Sequence, residues 1–393
     1  MRSIGSILNP KGWPTGMHKR RKILLISNSA KISGAERSLL DVIAVLRQVH
    51  DLTIVLPEID DLYHLLNGHV GIKVVKMVRV TVKRNILHLV RQAWQVMKGA
   101  RLLAGIVKKE KFDLIYANTL QAHVYGLLIK LLTGKRIIWH VRDNIRSKRQ
   151  VRVLSANTDL ILAISGHIMR QFPAQRRVHL VYNGLDPAAW QPTEAGTLPG
   201  VKETLNIGSE KLLIAHVGQL VPWKRHELFI ELAAAISRKQ PNVHFLLIGQ
   251  DHFHQHAGYV RLLREKVITG GLASCFSMLP YQPSFQYYLR DIDILVHLAR
   301  DEPFGRVVME AMASQIAVVA FANGGPAELI IDGENGFLIP PDDLEQVAKK
   351  VQLLIEDPEM RSAFGANGRT HIEKNFPIEN GTTILDLIAQ IDG

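Results

Sequence analysis

Apolar positions along this chain follow two alternating rhythms. Short runs, Lys22–Ser27, Leu52–Leu56, Ile72–Met77, Asp113–Tyr116, Arg136–His140, Leu160–Ile164 and Val178–Val181, read as brief buried strands. Between them apolar residues recur at helical spacing, at 39, 42, 43 and 46, and again at 86, 89, 90, 93, 94, 97, 103, 104 and 107. Pro187–Ser209 breaks the rhythm, being rich in Pro, Gly, Thr and Ala. It then restarts, with strands Leu212–Val217, Val243–Ile248, Phe276–Tyr281, Ile292–Leu298 and Ala317–Phe321, and a turn and strand in Gly333–Pro340. Helical patterns cover His226–Lys239 and residues 258–268, 342–357 and 359–374. Strands alternating with helices predict parallel sheets. At 393 residues the chain is long for one core, so an α/β chain of two Rossmann-like domains is expected. The expected division is a loose tail over 1–18, a first domain over 19–187, a linker region over 188–209, a second domain over 210–375, and a terminal helix over 376–393 returning toward the first domain.

Charge distinguishes the two halves. The net charge of +12 is the balance of a first half with 31 Lys and Arg against 11 Asp and Glu (residues 1–190) and an acidic remainder. Residues 62–109 hold ten basic residues and no acid, and within them Ile86, Leu89, Val90, Ala93, Trp94 and Met97 share a helical face. Two readings stand for that segment: an ordinary helix packed on its sheet, or contact with an anionic membrane surface through residues 76–109. The basic half lacks a nucleic-acid-binding motif and has few aromatics for stacking, so no nucleic-acid partner is expected. The single cysteine, Cys275, rules out a disulfide framework within the chain and fits a reducing, cytoplasmic setting. No apolar run reaches the ~18 residues of a membrane-spanning helix. The first fifteen residues do not read as a signal peptide, and Met17 is an alternative start.

The chemistry concentrates at Asp301–Ala313, where a loop punctuated by Pro303 and Gly305 turns into a helix after a buried strand. Glu302 stands before the turn and Glu310 about one helical turn inside. Carboxylates suit sugar and ribose hydroxyls, and the helix start suits a phosphate. Ligands bind open α/β sheets at such strand ends. A second loop runs Gly218-Gln219-Leu220-Val221-Pro222-Trp223-Lys224, and a third, Asn323-Gly324-Gly325-Pro326, opens a helix carrying Glu328. In the first half Gly34 lies in Ser33-Gly34-Ala35-Glu36-Arg37, and His140 and Arg142 end a strand. The full G-x-G-x-x-G of a dinucleotide fold is absent. His252, His254 and His256 lack accompanying carboxylates and read as a surface loop, so no metal site is expected.

Glu302 and Glu310, seven residues apart with Pro-Phe-Gly inside, resemble the signature of retaining glycosyltransferases of the GT-B fold, in particular the family-four or group 1 enzymes. Ser33–Arg37 is similar to that family's Gly-Gly-x-Glu-Arg, with Ser33 in place of a glycine. Tyr182-Asn183-Gly184-Leu185-Asp186 resembles the run that closes its first domain. The resemblance covers nearly all of residues 22–375. It implies two Rossmann-like domains facing across a cleft, the second binding a nucleotide-sugar donor and the first an acceptor. By the same resemblance Glu302 lies near the donor sugar, Glu310 on the ribose, and Lys224 on the diphosphate. His140 faces the sugar, and Gly34, Gly218, Gln219, Phe304, Gly305, Arg306, Gly325 and Glu328 lie on the donor side. Asn118, His123 and Arg142 are weaker acceptor-side candidates. The family's Arg is Gln219 here, so Arg225 or Arg306 would have to supply the missing charge, or activity is reduced. Neither Glu is assigned as a nucleophile.

The expected function is transfer of a sugar, with retention and without metal or cofactor, to a glycan or lipid-linked acceptor in cell-envelope polysaccharide or glycolipid synthesis. The setting would be cytoplasmic or peripheral at the inner face of the membrane. The alternatives are a nonenzymatic relative that binds sugar nucleotide or glycan, motivated by Gln219, and a GT-B epimerase or phosphorylase, the latter needing a cofactor-binding Lys that no motif supplies.

Overall fold

The computed structural model describes residues 19–78, 86–145, 147–173, 177–186, 190, 199–251, 254–281 and 285–391. The tail 1–18 with Met17, Arg79, Lys83 and Arg84 of the basic stretch, His252, and residues 188, 189 and 191–198 of the expected linker lie outside the described residues. The chain forms two compact units, one of residues 1–184 with 378–393 and one of Leu185–Pro377.

The first unit is built on strands β1 (Lys22–Ile26), β2 (Asp51–Leu56), β3 (Gly71–Val74), β4 (Leu114–Ala117), β5 (Arg136–Val141), β6 (Leu160–Ala163) and β7 (Val178–Leu180). They pair in parallel in the order β3-β2-β1-β4-β5-β6-β7. β1 and β4 are almost wholly apolar because helices cover both sheet faces, as parallel sheets require. The terminal helix Thr383–Gln390 places Ile384, Leu385 and Ile388 in one core with Val42 and Ile43 of the helix Gly34–Leu46.

The helix Ile86–Lys109 departs from the expected stripe. Its buried side is Gln92, Val96, Ala100, Leu103, Ala104 and Val107, whereas Leu89, Val90, Ala93 and Trp94 of the stripe face solvent. At about 100° per residue Val90 and Trp94 lie off the buried arc, whereas Leu89 and Ala93 lie on it but near the helix start, before the closely packed stretch from Val96 to Val107. The sheet accepted the arc rich in small side chains, which lets the helix approach the neighbouring helix Leu120–Thr133. Gly99 lies against Tyr125, 3.1 Å from where its Cβ would be.

The second unit holds β8 (Leu212–Val217), β9 (Val243–Ile248), β10 (Phe276–Leu279), β11 (Ile294–His297), β12 (Ala317–Phe321) and β13 (Phe337–Ile339). Their order is β10-β9-β8-β11-β12-β13, again parallel. The short helix Val201–Thr204 is tied to this unit by Lys202 N–H donating to Asp291 Oδ2 at 3.0 Å. Among the described residues no helix is long and apolar enough to cross a membrane.

Candidate functional site

In the second unit the strand order reverses between β8 and β11, which brings together the loops leaving β8, β11 and β12. That reversal, at the carboxyl ends of the strands, is where an open α/β sheet has room for a ligand. Backbone bonds lace the loops. Arg300 N–H donates to the Trp223 carbonyl and Gly325 N–H to the Glu302 carbonyl, both at 2.8 Å. The glycines make this possible: a Cβ on Gly324 would sit 2.2 Å from the Glu302 carbonyl oxygen, and one on Gly325 2.2 Å from Phe304 Cα. Gly305, at φ 91°, occupies the left-handed region just before the helix Arg306–Ala313.

Side chains converge on this lattice. Lys224 Nζ donates to Glu302 Oε2, and both residues are buried. The Lys224 ammonium also lies 4.5 Å from the centre of the Trp223 ring. Gly218 leaves room for the Lys224 stem, whose Cδ would stand 3.3 Å from a Cβ there. His297 Nε2 approaches the same carboxylate oxygen at 3.3 Å. Burial would raise the Glu302 pKa, but the Lys224 charge and the His297 contact outweigh it and hold the group at about 2. Burial, helped by Lys224, lowers the pKa of His297 despite its carboxylate neighbour, so its ring is neutral at pH 7.

One turn on, Arg306 Nε donates to Glu310 Oε1 at 2.9 Å, with Glu310 buried. No side chain caps the helix that carries them. Glu328 is half-buried in the first turn of Pro326–Leu329. Gln219 is half-buried in the β8 loop. Arg225 turns to Glu227 and Asp342, at 3.1 and 2.9 Å. Phe304 requires a correction: its ring is 2% exposed and packs edge-on against Phe376, so it anchors the loop in the core and offers a ligand only backbone.

In the first unit the order reverses between β1 and β4. Arg142 donates through Nε to Asn118 at 2.7 Å and through Nη1 to Asn183 at 2.8 Å, while Nη2 lies 3.2 Å from His140 Nδ1. The Tyr116 hydroxyl is 2.5 Å from the same nitrogen. Burial and the Arg142 charge push the His140 pKa well down. His140 borders a cavity of about 20 Å³, shared with Ser38, Asp41 and Asn183, about one water in size. Gly34 opens its helix onto free space, with no heavy atom within 4 Å of where a Cβ would stand. Behind it Glu36 is buried and accepts from Ser33 N–H at 3.2 Å; burial raises its pKa, opposed by Ser33 and Arg142.

His123 is a second correction. It is stacked on Trp139 with ring centroids 4.1 Å apart, and its Nε2 meets Leu154 O and Thr158 Oγ1. Its ring is thus held by core partners. The structure adds Tyr116, Trp223 and His297, which sequence reasoning missed. Each lies inside or beside an apolar strand pattern and reads as filler. Only the strand-end position of His297 distinguished it. Among the described residues no group of His, Cys, Asp and Glu gathers as a metal site.

The profile of Glycosyl transferases group 1 matches residues 201–371, and that of Glycosyltransferase Family 4 matches residues 32–189. The chain belongs to the group 1 glycosyltransferases. This transferase is 27% identical over 265 residues to the lipopolysaccharide core biosynthesis mannosyltransferase LpcC of Rhizobium leguminosarum bv. viciae, covering 67% of this chain and 74% of that one. It is 22% identical over 301 residues to a GDP-mannose-dependent phosphatidylinositol monomannoside mannosyltransferase of Corynebacterium glutamicum, covering 71% and 77%. Its fold is that of Anabaena Alr3699/HepE, solved with UDP and glucose, at TM-score 0.80 and 24% identity over 94% of this chain and 100% of that one. Sucrose-phosphate synthase of Thermosynechococcus elongatus matches at TM-score 0.80 and 18% identity, covering 95% and 99%. The two Rossmann-like units of the transferase are thus those of the GT-B class.

Proposed function

We propose that this transferase moves a sugar from a nucleotide-sugar donor to a glycan or lipid-linked acceptor of the cell envelope, with retention at the anomeric carbon. The observation that carries the donor assignment is the gathering, at one sheet reversal, of Lys224 on Glu302 and Arg306 on Glu310 beside an uncapped helix start. A diphosphate takes the Lys224 ammonium and the helix-start amides. Glu302 then holds sugar hydroxyls, and Glu310 the ribose. In the transfer the bond from the anomeric carbon to the diphosphate oxygen breaks and one to an acceptor oxygen forms. The departing nucleoside diphosphate keeps the electron pair of the broken bond, and its oxygen takes the proton that the acceptor hydroxyl gives up. His140 lines the acceptor-side unit, where Arg142 and Tyr116 fix its ring.

The envelope assignment draws on relatives whose names specify lipopolysaccharide core and phosphatidylinositol mannoside synthesis. Work at the inner face of the membrane follows from that acceptor class. The leaving group is served by Lys224 and helix amides, so we expect no metal or cofactor requirement, and EDTA-treated protein keeps its activity. The deciding experiment is a thermal-shift screen of UDP-, GDP- and ADP-sugars, since a bound donor raises apparent stability by mass action. Donor hydrolysis and the anomeric configuration of the product, read by NMR, follow. Stabilisation by none of these donors rejects the donor assignment, and an inverted product rejects retention. A nonenzymatic reading is kept alive by Gln219, because both neighbouring arginines are already paired with carboxylates. Donor binding with neither hydrolysis nor transfer would favour it.

A further inference from the structure

We infer that the outer side of the helix Ile86–Lys109 is a docking face for an anionic lipid bilayer. The face begins with large apolar side chains held in water: Leu87 is 79% exposed, Val90 63% and Trp94 62%. At 3.6 residues per turn they lie within about 60° of one another. Arg91, Lys98 and Arg101 are exposed on the same side, and the whole helix carries no Asp or Glu. Lys98 Nζ sits over the Trp94 ring, 5.5 Å from its centre, so a cation and the exposed aromatic share this side.

The core does not need this face. Val96, Ala100, Leu103 and Val107 already fill the sheet-facing side. Exposed aromatic and aliphatic groups rimmed by cations match the interface of a membrane, where the apolar groups enter the acyl boundary and the cations meet headgroup phosphates. A second copy of this chain is a poorer occupant, because two-fold packing of the face would oppose like charges. Nucleic acid is poorer too, because leucine and valine at the centre gain nothing from a phosphate backbone. The inference deepens the proposed function by bringing the enzyme to a lipid-linked acceptor. Binding is measured without donor, so its failure and the failure of the transfer reading are separable.

The test is co-sedimentation of the full chain with vesicles of phosphatidylcholine, with and without phosphatidylglycerol, at low and high salt. Binding is expected on the anionic vesicles and is weakened by salt. R91Q/K98Q/R101Q lowers partitioning about fivefold for each cation removed. L87S/V90S/W94S abolishes the binding that survives salt, with an unchanged circular-dichroism spectrum. Trp94→Phe removes the blue shift of tryptophan emission on binding. Equal partitioning onto neutral and anionic vesicles, binding to neither, or insensitivity to both triple variants would overturn the inference. So would an apolar variant that dissolves an oligomer while wild type ignores vesicles, which would assign the face to a second copy.

Discussion

Glu302→Gln removes the carboxylate that neutralises Lys224 while keeping its shape. Both side chains are about one-tenth exposed, at 11% and 10%, so water does little to stabilise the stranded ammonium. The native carboxyl is held at about 2 against an ordinary 4.5. That difference corresponds to about 3 kcal/mol at 1.36 kcal/mol per pKa unit. Breaking a buried pair by removing one partner typically costs ~3–5 kcal/mol, so the two routes agree on about 3. The sign follows from the depressed native pKa. The contribution is complete above the unfolded value of 4.5 and is lost as pH falls toward about 2.

Urea unfolding of wild type and variant, followed by tryptophan emission, tests this. With a slope of about 3 kcal/mol per molar, the Glu302→Gln midpoint lies roughly 1 M lower at pH 7. The gap narrows between pH 4.5 and pH 2, because only the wild type has that group to protonate. Lys224→Met in the Glu302→Gln background recovers most of the loss, as replacement of both charges does elsewhere. Equal midpoints at pH 7, or a gap indifferent to acid, would refute the buried pair and the site reading built on it.

Lys224→Ala lowers donor affinity and turnover at least tenfold, a charged hydrogen bond being worth about 1.5–3 kcal/mol, and Gln219→Arg preserves or raises both; donor titration and initial rates decide. Gly325→Ala lowers stability by about 1–3 kcal/mol and abolishes transfer, since the added methyl meets Phe304 backbone. Gly34→Ala, which meets open space, leaves the melting temperature unchanged yet weakens the donor if backbone approach at Gly34 matters; an unchanged donor Kd removes Gly34 from the site. Burial and the Arg142 charge lower the His140 pKa, so its NMR titration midpoint falls below the ordinary 6.5, and a midpoint at or above that value would contradict its buried setting.

Much of this was legible because period and punctuation report on local structure. Apolar runs gave nearly all of the strands, and Pro303, Gly305, Gly324 and Gly325 marked the loops. The partnerships were not legible. Lys224 and Glu302 are 78 residues apart and meet because β8 and β11 are neighbours, a fact of strand order that no local spacing encodes. Arg142 reached Asn118 and Asn183 by the same kind of long-range pairing. His123 misled because a histidine stacked on a core tryptophan has the same sequence neighbours as one facing a ligand. The helix Ile86–Lys109 misled differently. Its apolar stripe overlaps the buried arc, and periodicity cannot say how far round the helix, or how far along it, the sheet will bury.

If an arginine supplies the charge that Gln219 lacks, the two candidates differ in what each would give up. Arg225 is the poorer choice. It is fixed in the left-handed backbone region at φ 58° and shared between Glu227 and Asp342, so recruiting it breaks two ion pairs. Arg306 is paired with the Glu310 carboxylate, on the first turn of the helix whose start faces the same loops. If ribose hydroxyls occupy Glu310, the Arg306 guanidinium beside them can turn to phosphate, and a planar fork suits that ligand. Arg306→Gln therefore weakens the donor tenfold or more, and adding Gln219→Arg restores a large part of the loss. Arg225→Gln changes donor affinity less than threefold. Kd values for the nucleoside diphosphate, from titration calorimetry on the three variants, decide between them. A larger loss for Arg225→Gln than for Arg306→Gln, or no rescue by Gln219→Arg, would reverse the assignment.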